Sequence, residues 1–339
     1  MKTIITSAKG APLRRILCSF LFGAAAFCVV PTNIQAGDIV WVTTGNSIGK
    51  YSTDGTTAIP NFITVPLPGQ GYNAYIGGIL VSGPILYVAT IRDVTWARLY
   101  YLLYHPPPYI YVIATYNAAA PGNVINSNFF AYTWKIVPRG MALSGSNLYV
   151  ATVQGQVGSI SKIAATGGGS TSFISSIYGS GPEAPYALAV GGPNGNVLYV
   201  TNNSQNSNGE FYISTYTADN GAILYPYFID IPTGGLYGLA LLGNTLYVSV
   251  FNGSAPGVYT YNATTGAPIR QGPFVSVHEP WGIAIGSPRL PGGNPTLYVA
   301  SYQDSAIYEF DAINGGQPFD SIKLSVAPTN ITVEPAAEQ

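Results

Sequence analysis

The sequence predicts an all-β chain closed into a six-bladed β-propeller, with four antiparallel strands per blade. Three observations carry this. One phrase recurs six times, as Val40-Trp41-Val42, Leu86-Tyr87-Val88, Leu148-Tyr149-Val150, Leu198-Tyr199-Val200, Leu246-Tyr247-Val248 and Leu297-Tyr298-Val299. The central aromatics are 46, 62, 50, 48 and 51 residues apart, the length of a unit in a closed array of small sheets. Beyond the first 36 residues no 3.6-residue hydrophobic period is sustained, and the chain ends on a strand that its beginning lacks.

Residues 1–36 have the layout of a secretory signal peptide. Lys2, Lys9, Arg14 and Arg15 form a basic start, Ile16 to Val30 is an apolar run of 15 residues, and Ile34-Gln35-Ala36 offers a small residue for cleavage before Gly37. The run is shorter than the roughly 20 residues a spanning helix needs. The expected mature protein is a single domain, 37–339, secreted or periplasmic, with no membrane span. Cys18 and Cys28 both leave with the leader, so the mature chain has neither disulfides nor thiolate chemistry. Its charge becomes −5, from nine basic and 14 acidic residues, with no basic cluster, which excludes nucleic acid and anionic membranes as partners. Abundant Tyr with few charges is the opposite of a disordered composition.

The first unit opens directly on a signature strand, Asp38 to Thr43. Within each unit the strand before the signature is short and small-residue-rich: Met141 to Leu143, Leu239 to Leu241 and Ile283 to Ile285, preceded by Gly140, Gly238 and Gly282. Glycine there predicts close backbone approach, as suits the innermost strand of a blade. The unit from Pro185 to Pro232 shows all four runs, Tyr186 to Val190, Asn196 to Thr201, Glu210 to Thr217 and Ala222 to Ile229, separated by Gly, Asn and Asp turns. The third-to-fourth turn recurs as Ser52-Thr-Asp-Gly55, Ala165-Thr-Gly167, Ala263-Thr-Thr-Gly266 and Ala312-Ile-Asn-Gly315. The signature strand is apolar on both faces, as expected of a strand covered by neighbours on both sides. Pro328 to Val333 reads as an inner strand with nothing after it, and joined to the first unit it completes one blade from both termini. Such closure removes free sheet edges.

Pro185-Tyr-Ala-Leu-Ala-Val190 with Val197-Leu-Tyr-Val-Thr-Asn202, and Pro280-Trp-Gly-Ile-Ala-Ile285 with Leu297-Tyr-Val-Ala-Ser301, resemble NHL repeats. The chain is similar in style to secreted NHL-type repeat proteins of environmental bacteria, and distantly to SMP-30/gluconolactonase-like propellers. The resemblance spans 38–334 and implies six blades. Its motif is structural. WD40 signatures are missing.

In a propeller the loops before the inner strands and after the signature strands meet at one channel mouth. That topology nominates Arg139, Tyr186, Asn202, Tyr237, His278, Trp281 and Asp304 as ligand-contacting residues, a set of aromatics and polar groups suited to recognising a carbohydrate, a peptide or an extracellular protein without chemistry or a cofactor. The second unit is about 14 residues longer than its fellows, with the excess in 93–108. This insertion carries Trp96, Tyr101 and Tyr104, and loops that break a repeat are favoured sites of function. The gluconolactonase resemblance implies an alternative, a metal-dependent lactonase or lyase holding Ca2+ or another divalent cation. Glu183, Asn202, Glu279 and Asp304 are the residues available for it. A zinc site would need about three histidines, and the chain has His105 and His278 alone.

Overall fold

The computed structural model describes residues 37–65, 76–93, 109–132, 136–155, 157–167, 170–175, 177, 185–192, 195–290 and 292–334. The predicted signal peptide, and Glu183, Trp96, Tyr101 and Tyr104, lie outside the described residues. Among the described residues, twenty-four strands form six four-stranded antiparallel sheets. Blade 1 takes its inner strand, Ile331–Glu334, from the C-terminal region, followed outward by Ile39–Thr44, Ser47–Ser52 and Ala58–Thr64. Val40 pairs with Val333 and Val42 with Ile331, the two-ended closure the sequence predicts. Blade 2 is Ile76–Ser82, Ile85–Asp93, Tyr109–Asn117 and Val124–Ala131; blade 3 is Val137–Ser144, Asn147–Gln154, Val157–Ala164 and Ser170–Ile174. Blade 4 is Leu188–Gly191, Val197–Asn202, Phe211–Thr217 and Ile223–Ile231. Blade 5 is Leu236–Leu242, Thr245–Val250, Gly257–Asn262 and the two-residue Val275–Ser276; blade 6 is Pro280–Gly286, Thr296–Ser301, Ala306–Asp311 and Gly315–Lys323. Each inner strand touches the next around the full circle, so the fold is a closed six-bladed propeller. Among the described residues no helix is long and apolar enough to cross a membrane. The long second unit prolongs the hairpin between the second and third strands of blade 2, with Asp93 still paired to Tyr109.

The recurring phrase builds the core. Six separate apolar clusters exist, one per seam between blades, and each joins the signature aromatic of one blade to the signature aliphatics of the next. Tyr149 packs with Leu198 and Val200, Tyr199 with Leu246 and Val248, Tyr247 with Leu297 and Val299, and Tyr87 with Leu148 and Val150. Trp41 meets Leu86 and Val88, and Tyr298 closes the ring on Val40 and Val42. Burying each such side chain contributes about 1.5–3 kcal/mol.

The phenol explains why the aromatic is Tyr rather than Phe. Four of the five signature hydroxyls donate to the backbone carbonyl of an alanine in the next blade's third-to-outer turn: Tyr87 to Ala165 at 2.9 Å, Tyr149 to Ala218 at 2.6 Å, Tyr199 to Ala263 at 2.7 Å, and Tyr247 to Ala312. The same ring meets a Phe at the outer edge of its own blade, for example Tyr149 on Phe173 at 5.5 Å and Tyr247 on Phe274 at 5.7 Å. That Phe supports the glycine ending the neighbour's turn: a Cβ on Gly266 would stand 2.5 Å from the Phe228 carbonyl, and one on Gly221 2.8 Å from that of Phe173. In blade 1 the aromatic is Trp41, whose Nε1 has no hydrogen-bond partner. Lys50, opposite it in register, lies 4.9 Å from the indole and donates to Ala118 O at 2.8 Å in its stead.

Near the axis the predicted glycines have a matching cause. A Cβ on Gly140, Gly238 or Gly282 would fall within 2.8 Å of the next inner strand's backbone, at Tyr186 O, Trp281 O and Ile331 N. Replacing Tyr199 with Phe leaves the buried Ala263 carbonyl without its donor. A loss of about 1–3 kcal/mol is expected, read as a lower urea midpoint at unchanged m.

Candidate functional site

The residue just before the small inner-strand position occupies one equivalent place per blade. Going round from blade 1 it is Thr329, Gly77, Arg139, Tyr186, Tyr237 and Trp281. Packing repeats around the ring, but this position does not: large aromatics fill it on blades 4, 5 and 6, Arg on blade 3, and small residues on blades 1 and 2.

These residues converge. Tyr186 and Tyr237 meet edge to face with centroids 4.8 Å apart, and Tyr237 lies 4.6 Å from Trp281. Trp281 Nε1 donates to Tyr186 Oη at 2.9 Å, and the Arg139 guanidinium sits 5.2 Å from the Tyr186 ring. Two further aromatics that the sequence reading passed over complete the arc. Phe251 lies 5.1 Å from Tyr237 and 5.3 Å from Trp281, and Tyr302 5.2 Å from Trp281. Both follow a signature strand at the same offset from its tyrosine, so aligning the units by that tyrosine reveals them. Tyr186 is buried, Arg139, Tyr237, Phe251 and Trp281 are half-buried, and Tyr302 is 41% exposed. Burial pushes the Tyr186 phenol up, against the pull of the Arg139 cation, so it stays a neutral hydroxyl.

Local structure holds the arc in place. Asn252 Oδ1 accepts Gly235 N–H at 2.8 Å, and Asn203 Oδ1 accepts Leu236 N–H at 3.1 Å, pinning the approach to Tyr237. Gly234 has φ +96°, and a Cβ there would stand 2.0 Å from Asn252 O. Asn202 lies away from this arc: it is fully buried, and its Nδ2 donates to Ser214 Oγ at 2.9 Å.

His278 and Asp304 form a second feature. Nδ1 of His278 is 3.4 Å from Asp304 Oδ1, and Tyr308 donates to Asp304 Oδ2 at 3.2 Å. The pair lines a groove of about 430 Å³ between blades 5 and 6, walled by Pro256, Val277, Phe310 and Pro318. The two non-glycine residues with positive φ among the described residues follow directly: Glu279 at +44° and Ser305 at +49°. The Glu279 carbonyl accepts Tyr302 N–H at 3.0 Å, tying this groove to the arc. Burial alone would raise the Asp304 carboxyl, but hydrogen bonds from Ser301, His278 and Tyr308 outweigh it and hold it below the usual carboxylate range.

Of the residues available for a cation, Asn202, Glu279 and Asp304 are described and Glu183 lies outside the described residues. Among the described residues no three His, Cys, Asp or Glu side chains come together to hold a metal ion. Asp304 accepts from Tyr308 and pairs with His278, whereas Asn202 donates through Nδ2 to Ser214 and its buried Oδ1 has no hydrogen-bond partner. A hard cation asks for about six oxygens.

No protein-family model matches the sequence, and no curated protein matches it. Solved structures match the fold. A chain from a nidogen/laminin complex superposes with TM-score 0.60 at 15% identity over 89% of this chain and all of that one. TolB from Acinetobacter baumannii gives 0.57 at 12% identity over 88% of this chain and 67% of its own. A Bacteroides uniformis protein described as a candidate 6-phosphogluconolactonase gives 0.53 at 15% identity over 88% of this chain and 100% of that chain. Likeness at this identity establishes the propeller and leaves its use to the site.

Because the folded Asp304 carboxyl is lowered, its stabilising contribution is present above the unfolded value near 3.9 and is lost as pH falls through the folded one. The urea midpoint of the wild type should therefore drop more steeply than that of Asp304→Asn as pH falls below about 4. Parallel profiles would show that the hydrogen bonds around Asp304 do not form.

Proposed function

We propose that this protein is a binding module acting outside the cytoplasm after loss of residues 1–36, and that its ligand is a glycan seated on the aromatic arc of blades 4 to 6. The observation that carries the reading is that one equivalent position per blade, repeated in geometry, is filled with Tyr186, Tyr237 and Trp281 on one side of the mouth and with Thr329 and Gly77 on the other. Half-buried Trp and Tyr rings offer large, rigid contact faces at low entropy cost, and the apolar faces of sugar rings stack on them. Uncharged hydrogen-bonding groups on the arc, chiefly the hydroxyls of half-buried Tyr237 and exposed Tyr302, suit a ligand rich in hydroxyls. Arg139 adds one cation at the end of the arc, where an acidic sugar would be read.

A propeller that recognises an extended peptide would use the same rings. A lactonase of the gluconolactonase type would use a cation that the described donors do not gather. Glycan-array binding of the exported protein, repeated with a peptide library, separates the first two. Tyr302→Ala removes an exposed ring and should weaken glycan binding about tenfold or more while leaving the melting temperature nearly unchanged. Glycan binding unaffected by that change and by Trp281→Ala would sink the reading. Neither Ca2+ nor a chelator should shift the melting curve. A clear upward shift with Ca2+ would favour the lactonase.

A further inference from the structure

Five seams close through a turn carbonyl taken by the preceding blade, and the sixth differs. Between blades 6 and 1, Thr53 stands where the other blades carry the turn alanine, and its carbonyl is taken by Arg289 Nη1 at 2.5 Å. Tyr298 instead donates to the Asp38 carboxylate at 2.9 Å, and Ser287 N–H donates to the same oxygen at 2.8 Å. Asp38 is buried. Arg289 is balanced by buried Glu309 at 3.2 Å and by Asp320 at 2.9 Å. The ring is therefore shut by the second residue after Ala36.

The first residue after Ala36 is cradled as well. Gly37 N lies 3.4 Å from Asp54 Oδ2. Asp54 Oδ1 is already served by Ser52 Oγ at 2.6 Å, Thr56 Oγ1 at 2.7 Å and Thr56 N–H at 2.9 Å, whereas Oδ2 faces Gly37. A Cβ on Gly37 would stand 2.6 Å from Asp54 N and 2.7 Å from Thr53 Oγ1, so only glycine fits. Burial alone would raise the Asp54 carboxyl, yet these donors hold it down to about 2, so it is ionised at any physiological pH.

We propose that leader removal steadies the closing seam: hydrolysis of the Ala36–Gly37 peptide bond leaves an α-ammonium on Gly37 that pairs with Asp54 of the same blade and so fixes Asp38, the next residue, in its contacts across the seam between blades 6 and 1. The cleavage is a leader-peptidase reaction in which water supplies the hydroxyl to the Ala36 carbonyl and a proton to the Gly37 nitrogen; the new Ala36 carboxylic acid then gives up its proton and the amine takes one, leaving a carboxylate and an α-ammonium. The neutral amide that offered one N–H becomes a cation with three. The charged groups around it are Asp54 beside it, Asp38 next in sequence, and Arg289 with its partners Glu309 and Asp320 across the seam.

The full chain, expressed in an export-competent host, provides the test. Mass spectrometry of the exported protein should give Gly37 as the first residue. Its α-amine, followed by NMR of glycine-labelled protein, should titrate above about 8.5 rather than in the ordinary range near 7.7–8.0. In Asp54→Asn it should return to that range. A raised folded value means that the contribution is complete below the unfolded amine's value and lost as pH rises through the folded one, so the thermal midpoint should fall on that limb in wild type only. Selective acetylation of the wild-type α-amine should abolish the same limb without altering any side chain. A mature start elsewhere than Gly37, an amine titrating alike in wild type and Asp54→Asn, or a pH profile untouched by acetylation would each overturn the proposal.

Discussion

The hydrogen bond from a signature tyrosine to an alanine carbonyl of the next blade is the contact on which the ring depends. A propeller has no single core; it has six thin ones, each shared by two sheets that are not covalently adjacent at that point. Apolar packing alone is non-directional and would let neighbouring sheets slide. The phenol adds direction. It reaches out of one sheet, past a Phe of its own blade, and ends on a turn whose alanine is small enough to admit it and whose glycine lies against that Phe. Desolvation keeps the phenol protonated, to about 12 for Tyr247, so the donor is permanent. Where Trp41 cannot play this part, Lys50 does, and the carbonyl of Ala118 is still satisfied.

The closure seam shows what happens where chain ends replace continuous chain. Its apolar half is unchanged, since Tyr298 packs on Val40 and Val42 as its equivalents do elsewhere. Its polar half is rebuilt from charges: Asp38 receives the phenol, and Arg289 spans Thr53, Glu309 and Asp320. Buried ion pairs are poor sources of net stability but strict about geometry. A seam built from them favours one register of the two termini.

The arc at the mouth uses the same repeated positions for the opposite purpose. Gly140, Gly238 and Gly282 are alike because the backbone of the next inner strand lies where a Cβ would stand. The residue before each differs from blade to blade, and on blades 3 to 6 it packs against its counterpart on the next blade. Tyr237 is held by Asn203, Asn252 and Gly234, and its ring then serves as the hub that Tyr186, Phe251 and Trp281 touch.

Fold, blade number and two-ended closure were legible in the sequence, because each repeats or completes a pattern: the Leu-Tyr-Val phrase, the inner glycines, and Pro328 to Val333 beside Asp38 to Thr43. That Arg139, Tyr186, Tyr237 and Trp281 hold one equivalent position ahead of the inner strands was legible for the same reason, since strand order places them. Their grouping was not. That Tyr186, Tyr237 and Trp281 touch, and that Phe251 reaches Trp281, depends on side-chain directions set by the next blade, about 50 residues away for the first two pairs; that Asn202 turns inward to Ser214, that Tyr302 meets Trp281 and that Asp304 pairs with His278 depends on partners 12 to 26 residues away that only the strand pairing brings together. The phenol-to-alanine bonds were hidden for that reason too. Local pattern determines which strand a residue occupies and which face it lies on; only the closed ring decides what stands opposite.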